Sequence, residues 1–411
     1  MATVKPFQCV RPNQDVVSQV AALPYDVYNR AEAKEVVKHA PLSFLNIDRA
    51  ETQFDDSVDT YAPCVYQKAS ELLHSWMDNG TFIKDTDRCY YIYELIMSGR
   101  SQTGIVACSS IDDYLNNVIK KHENTRADKE VDRINHVDTC SAQTGPIFLA
   151  YRSQEAINQV VDAVKKTDAL YAFTSEDGVT HNVWKVCKPE DNATIQDAFA
   201  KIQEIYIADG HHRAASAVKV GLKRREANPG YKGDEEFNFF LSVLFPHDQL
   251  MIMDYNRTVK DLNGYSKEEF FAKIQEHFAL EELDGKAKPE KKAEFTMYLD
   301  KKWYRLTANE ELRGITDAVA SLDVSLLQDY LLGPVLGIQD PRTDKRIDFI
   351  GGIRGLEELE RRADSDMMVS FAMYPTSITE LFDVADAKKL MPPKSTWFEP
   401  KLRSGIFVHE I

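Results

Sequence analysis

No apolar run in this chain approaches the ~18 residues that a helix needs to cross a bilayer, so a helical membrane span is excluded. Cysteine is sparse and scattered: Cys9, Cys64, Cys89, Cys108, Cys140 and Cys187 form no Cys-x-x-Cys pair and no Cys/His cluster. That spacing argues against a metal ribbon and favours reduced thiols over a disulfide framework. Basic residues are outnumbered, 50 Lys and Arg against 65 Asp and Glu, for a formal net charge of −15. A nucleic-acid surface would show a basic face, so nucleic acid is not an expected partner. The opening residues MATVKPFQCV lack the apolar core of a signal peptide. A cytoplasmic location is therefore expected, and no membrane partner.

What is present is ample material for a core. Hydrophobic residues make up 43% of 411 and charged residues 28%, the balance of a globular chain of two or three domains. There is no internal repeat and no low-complexity tract. Strands are predicted at Cys89–Met97 and Gly104–Ser109, joined as a hairpin by Ser-Gly-Arg-Ser-Gln. Further strands are predicted at Pro146–Tyr151, Ala169–Phe173, His181–Val186, Ile205–Ala208, Phe237–Phe245 and Leu250–Asp254. Helices fit near 31–38, 66–79, 131–143, 153–165, 190–203 and 212–227. Several adjacent strands lack crossover helices, which favours an α+β fold with mixed sheets. The expected division is a main body over 1–261, a small α+β insertion over 262–312, and a segment 313–411 that returns to the body and lines its pocket.

The most informative stretch is Ile205-Tyr206-Ile207-Ala208-Asp209-Gly210-His211-His212-Arg213. Four residues of strand character meet Asp-Gly, a pair biased to tight turns because glycine accepts φ > 0. A helix pattern starts at once, with Ala214, Ala217, Val218, Gly221 and Leu222 on one stripe. Two imidazoles, a guanidinium and a carboxylate thus surround the first turn of a helix, where free N–H groups and the positive dipole end make a seat for phosphate. The plainer alternative is a buried junction whose histidines only cap structure. It would hide several ionisable groups at considerable cost.

Two other segments suit the same chemistry. Lys121-His122-Glu123-Asn124-Thr125-Arg126, continued by Lys129, Asp132 and Arg133, offers a carboxylate base, a hydroxyl and a guanidinium on one loop. His122-Glu123 also resembles half of a zinc helix, but Arg126 stands where the second histidine would be needed. Near the C-terminus, Lys394, Ser395, Thr396, Lys401, Arg403 and Ser404 suit an anion, although no Walker A pattern is present. Pro24-Tyr25-Asp26, Asp48-Arg49 and Asp254-Tyr255-Asn256-Arg257 form a weaker polar set, and the charge run around Asp284–Lys292 reads as a wet surface.

These motifs in this order resemble a bacterial and archaeal domain family of unknown function, often encoded near serine-biosynthesis genes. The likeness runs from Lys5-Pro6-Phe7 to the C-terminus. The Asp-Gly-His-His-Arg turn also resembles the wider ParB/sulfiredoxin superfamily, which includes a free-serine kinase, and implies a core of that type with a small peripheral α+β module. By that resemblance Asp209, Gly210, His211, His212 and Arg213 form the phosphate and metal loop, with Asp209 holding Mg2+. Glu123 is set against the kinase's catalytic glutamate on the chemistry of its loop, since residue-level similarity does not extend there. His211 replaces the cysteine that sulfiredoxin chemistry requires. The implied catalytic set is Glu123, His122, Asp209, His211, His212 and Arg213. Gly210, Thr125, Arg126, Lys394, Ser395, Thr396, Lys401 and Ser404 are the implied cofactor-binding residues. The implied activity is a nucleotide-dependent phosphotransferase or phosphohydrolase using Mg2+ and ADP or ATP on a small hydroxylated metabolite, free serine or phosphoserine first. A non-catalytic nucleotide- or phosphometabolite-binding regulator is the alternative, and a homodimer stays open.

Overall fold

The computed structural model describes residues 1–411 and divides them into two compact units, 1–250 with 400–411, and 251–399. The first is built on nine strands: β1 (Val4–Lys5), β2 (Tyr90–Met97), β3 (Arg100–Ser110), β4 (Ile119–Lys120), β5 (Ile147–Tyr151), β6 (Tyr171–Thr174), β7 (Thr180–Val186), β8 (Ile205–Asp209) and β9 (Phe239–Pro246). Their order is β4-β8-β5-β9-β3-β2-β7-β6, with β1 added against β3. The β2–β3 hairpin turns on Ser98 (φ 52°) and Gly99 (φ 77°). Two consecutive positive φ values give the type I′ geometry that matches strand twist. Strand β9 reads as one apolar run, Phe-Phe-Leu-Ser-Val-Leu-Phe-Pro, and is buried throughout, as a central strand covered on both faces must be. The sheet is mixed, since β9 runs antiparallel to β3 and parallel to β5.

The longer helices of this unit are α1 (Arg30–His39), α2 (Pro63–Asp78), α3 (Ala127–Cys140), α4 (Glu155–Val164), α5 (Pro189–Phe199) and α6 (His211–Ala227). Pro63 opens α2 at the position where a missing N–H costs nothing. Helix α6 packs closely enough that a methyl group at Gly221 would lie 2.5 Å from the Phe237 carbonyl oxygen. The core under the sheet gathers Ile92, Ile105, Leu149, Phe199, Ile207 and Phe240.

The second unit holds β10 (Ile252–Met253), β11 (Tyr255–Val259), β12 (Phe278–Leu283), β13 (Glu294–Leu299), β14 (Lys302–Ala308), β15 (Ile347–Gly351), β16 (Val369–Met373) and β17 (Trp397–Phe398). Six of these form an antiparallel sheet ordered β12-β14-β13-β16-β11-β15, and β10 pairs with β17. Helices α7 (Lys267–Gln275), α8 (Gly355–Ala363) and α9 (Ile378–Asp386) belong here. The observed boundaries therefore differ from an insertion limited to 262–312. Phe295, Met297 and Leu299 share one core with Val259, Val369 and Val384, so residues on both sides of that range complete the same sheet. Only 400–411, not all of 313–411, returns to the first unit. The sequence predicts helices near 267–277, 325–332 and 378–387 and strands at 295–299, 303–306 and 367–374 here; strands β11, β12, β15 and β17 and helix α8 go beyond these. In α8 only Leu356 and Leu359 are buried among charged residues, too few to mark a stripe by sequence alone.

Candidate functional site

Strand β4 is only two residues long, yet it pairs parallel to β8 through Ile119–Ile205 and Lys120–Tyr206. Parallel pairing carries the next residues of both strands in the same direction, so Lys121-His122-Glu123 runs beside Ile207-Ala208-Asp209. Where β8 meets β5 the register shifts between Ile207 and Asp209. Such a bulge re-aims the side chains that follow it. Gly210 then takes φ +91°, and α6 starts at His211 with no capping side chain and no acidic residue in its first turn. A Cβ at Gly210 would sit 3.0–3.1 Å from the Arg213 guanidinium.

Three charges meet at this turn. Lys401 Nζ donates to Asp209 Oδ2 at 3.3 Å, and Arg213 Nη2 lies 3.7 Å from the same oxygen. Arg213 Nη1 donates to the Pro146 carbonyl. Burial pushes the Asp209 carboxyl up, but Lys401 and Arg213 outweigh it and hold the group well below the usual carboxylate range. Ser404 stands near: a methyl at Gly145 would lie 3.2 Å from Ser404 Oγ and 3.8 Å from Arg213.

The histidines are not cations. His122 and His211 meet edge to face with ring centroids 4.4 Å apart, both buried. Burial pulls His122 down to about 4, while burial and the neighbouring His122 together pull His211 well below its ordinary value. Positive charge at the turn comes from Arg213, Lys401 and the helix start, not from the imidazoles as the bare motif suggests. The His122 ring hydrogen-bonds the Ile207 backbone, and its Nδ1 and the Nε2 of His211 have no protein partner. His211 Nδ1 lies 3.6 Å from Glu123 Oε2, whose side chain is more than half exposed. His212 is half-buried, shifted down by burial, and its Nε2 accepts from the Arg126 amide at 3.0 Å.

The remaining expected ligands are placed elsewhere. Thr125 donates to Glu130, and the Arg126 guanidinium is paired with Asp128 at 2.8 and 3.2 Å, so neither side chain is presented as a phosphate donor. Lys394, Ser395 and Thr396 fall in the second unit. There the Lys394 carbonyl accepts from Arg257 Nη2 at 3.0 Å, the Lys394 ammonium lies 5.6 Å from the centre of the Tyr255 ring, and Thr376 donates to the Ser395 carbonyl at 3.0 Å. Two of the polar motifs, around Arg257 and Lys394, thus join each other.

Over residues 4–325 the sequence matches the family described as a protein of unknown function, DUF1015. The chain belongs to the DUF1015 family. No curated protein matches it significantly. Among solved structures, the chain is similar to C-terminally truncated SbnI from Staphylococcus aureus, with 12% identity and a TM-score of 0.40 over 74% of this chain and 87% of that one. It is similar to a free serine kinase in complex with AMP, with 15% identity and a TM-score of 0.36 over 74% and 91%. It is also similar to a conserved hypothetical protein from Pyrococcus furiosus, with 15% identity and a TM-score of 0.32 over 74% and 95%. At these values the likeness assigns no residue a role.

In this DUF1015 chain no group of three or more His, Cys, Asp or Glu side chains is arranged to hold a metal ion. Asp209 is the one carboxylate of the turn itself. Sequence reasoning passed over Thr144 and Gly145 altogether. Their only signal was Gln-Thr-Gly-Pro between a helix and a strand, a turn signature that also fits an ordinary loop.

Proposed function

We propose that this chain is a nucleotide-dependent phosphotransferase or phosphohydrolase acting on a small hydroxylated metabolite, with free serine or phosphoserine as first choice. The observation that carries this reading is the Asp209–Lys401–Arg213 cluster at the uncapped start of α6. Phosphoryl transfer asks chiefly for positioning and charge compensation. A helix start plus two cations supplies both at one point.

In the transfer direction, Glu123 takes the proton of the substrate hydroxyl. The oxygen forms a bond to the terminal phosphorus of ADP or ATP, and the bridging P–O bond breaks to release AMP or ADP. Arg213 and Lys401 offset the charge that grows on the departing phosphate. In this reading His211, whose Nδ1 lies 3.6 Å from Glu123 Oε2, relays the proton. Phosphate-bound Mg2+ is commonly held by one or two carboxylates together with phosphate oxygens, so Asp209 fits as its protein ligand. When bound, the ion would add charge compensation.

The test incubates the purified protein with Mg2+, ADP or ATP and L-serine, and separately with AMP or ADP and phosphoserine. Turnover is expected in at least one direction, falling about 10²- to 10⁴-fold in Glu123→Gln. No turnover in either direction by a folded protein overturns the reading. The exposure of Glu123 favours a second reading, a binding regulator, because a solvated carboxylate is a weak base at neutral pH. Tight ADP binding without product over long incubation would select it.

A further inference from the structure

Beside the turn lies a polar cavity of about 290 Å³ in the first unit, walled by α1, α2, α3 and the segment around Asp48-Arg49. A smaller void of about 30 Å³ adjoins it, sharing Tyr25, Asp48, Arg133 and His136 with the large one and reaching Arg213 and Ser404. Tyr25 marks the join. Burial pushes its phenol up to about 12, and both Arg133 and Arg213 lie close enough to pull against that shift.

Two buried charges face this space with hydrogen-bonding capacity left over. Arg133, 7% exposed, spends Nε on Asp132 at 2.9 Å and stacks 4.0 Å from the centre of the Tyr25 ring. Neither of its terminal Nη groups donates to the protein. Asp48, 4% exposed, accepts from Thr144 Oγ1 at 2.7 Å through Oδ1 only. Among the other charges in the wall, Arg49 Nε lies 2.7 Å from Glu51 Oε1 without a hydrogen bond between them, Arg30 donates to the carbonyls of Val58 and Asp55 while its Nε has no hydrogen-bond partner, and Lys129 Nζ reaches the Tyr61 hydroxyl at 3.5 Å. The Nη groups of Arg133 and the second oxygen of Asp48 thus have no protein partner and belong to residues that line the cavity, where water or a ligand can take up their hydrogen bonds.

We propose that this cavity seats a small zwitterion, with its carboxylate on the Nη edge of Arg133 and its ammonium on Asp48. This rests on the phosphotransfer reading and gives its acceptor a place. A carboxylate meets a guanidinium edge through two parallel hydrogen bonds, the strongest neutral-pH pairing available to it. The wall is mixed in charge, Arg30, Arg49, Lys129 and Arg133 against Asp48, Glu51 and Asp132, and the buried Asp48 carboxylate near Arg133 is what suits a zwitterion better than a phosphate group alone. At about 290 Å³ the cavity has room for an amino acid or its phosphate ester. An amino acid seated here would extend its hydroxyl past Tyr25 toward Arg213.

Calorimetry on the full chain tests this, with and without saturating ADP. The probes are L-serine, phosphoserine, L-threonine and L-homoserine, with ethanolamine lacking the carboxylate and 3-hydroxypropanoate lacking the ammonium. At least one amino acid should bind, and ethanolamine and 3-hydroxypropanoate should bind at least tenfold more weakly. Arg133→Met and Asp48→Asn should each weaken the amino acid about 10- to 100-fold while ADP affinity stays at the wild-type level, which also reports that the variants fold. Arg133→Lys should recover part of the loss. Binding of no amino acid by the wild type overturns the proposal, as does equal binding of ethanolamine or full affinity in both variants, even if ADP binds and turns over. Absence of ADP binding beside amino-acid binding that Arg133→Met removes would instead overturn the phosphate reading and leave this site standing.

Discussion

Two strand–glycine–helix junctions in this molecule end in opposite ways. In the first unit, β8 passes through Gly210 into α6, whose third residue is Arg213 and whose first turn carries no acid. In the second, β15 passes through Gly351, Gly352 and Gly355 into α8, whose third residue is Glu357, followed by Glu358. Acidic side chains near a helix N-terminus satisfy its donors and its dipole. Helix α8 therefore supplies its own anions. Helix α6 puts a cation where the dipole disfavours one and leaves the need for negative charge to Asp209 and to whatever binds. The buried arginines make the same contrast. Arg257 donates to the carbonyls of Tyr255 and Lys394 and has no carboxylate partner, so burial lowers it to about 10. Arg133 keeps two donors turned to a cavity. A polar residue whose partners are complete is architecture, and one whose partners are missing beside a space is the better candidate for function.

The sharpest way to break this comparison is to neutralise the third residue of each helix. Arg213→Met should weaken ADP binding about 10- to 100-fold, the loss expected for a charge-assisted hydrogen bond of ~1.5–3 kcal/mol. Glu357→Gln should leave ADP binding unchanged and cost only ~0.3–1 kcal/mol of stability. Equal effects on binding would erase the distinction between the junctions.

A pH series separates the buried imidazoles from the carboxylate beside them. His122 sits at about 4 in the fold against an ordinary 6.5. The unfolded chain therefore takes up the proton first as pH falls. Stability from this group is complete above pH 6.5 and is lost down to about pH 4, at up to ~1.4 kcal/mol per pH unit. Asp209, held below its ordinary value, contributes stability that is present above its unfolded pKa and disappears only under more acidic conditions. Urea unfolding at pH 7, 6 and 5 should show a slope that His122→Gln reduces. An unchanged slope would mean that the ring is not buried neutral.

The smallest expected effect is backbone strain. Gly210→Ala forces an L-residue to φ +91° against Arg213 and should cost roughly 1–2 kcal/mol. The melting temperature should fall and the ADP site should be distorted with it. Gly178 also has a positive φ (+79°), but nothing lies within 4 Å of a Cβ there, so Gly178→Ala should bring the strain without the binding defect.

Much of this was legible in the amino acids, for reasons that can be stated. The β8–Gly210–α6 junction could be read because Asp-Gly, a strand run and an alanine stripe are all local signals. The loop from His122 could be read as polar, but not as a neighbour of Asp209, because β4 is too short to show any periodicity. Lys394 and Lys401 look like one anion loop by composition, yet the boundary between the units falls between Glu399 and Pro400, where composition does not change. Asp48, Arg133 and Thr144 come together from distant positions, and no spacing rule links them. The second unit was underestimated because edge strand β12 carries exposed Glu281 and Glu282, which look like linker.

The pairing of Ile252 with Phe398 and of Met253 with Trp397 zips the two ends of the second unit into a stem. The span between them is a strand spacing, ~4.8 Å, rather than the reach of nearly 150 residues. The polypeptide thus enters and leaves the second unit through this two-residue ladder. Excising 254–396 and bridging the stem with a two-residue turn would bring Lys401 far nearer to Asp209 in sequence, reducing the loop entropy spent on their meeting without altering either strand end.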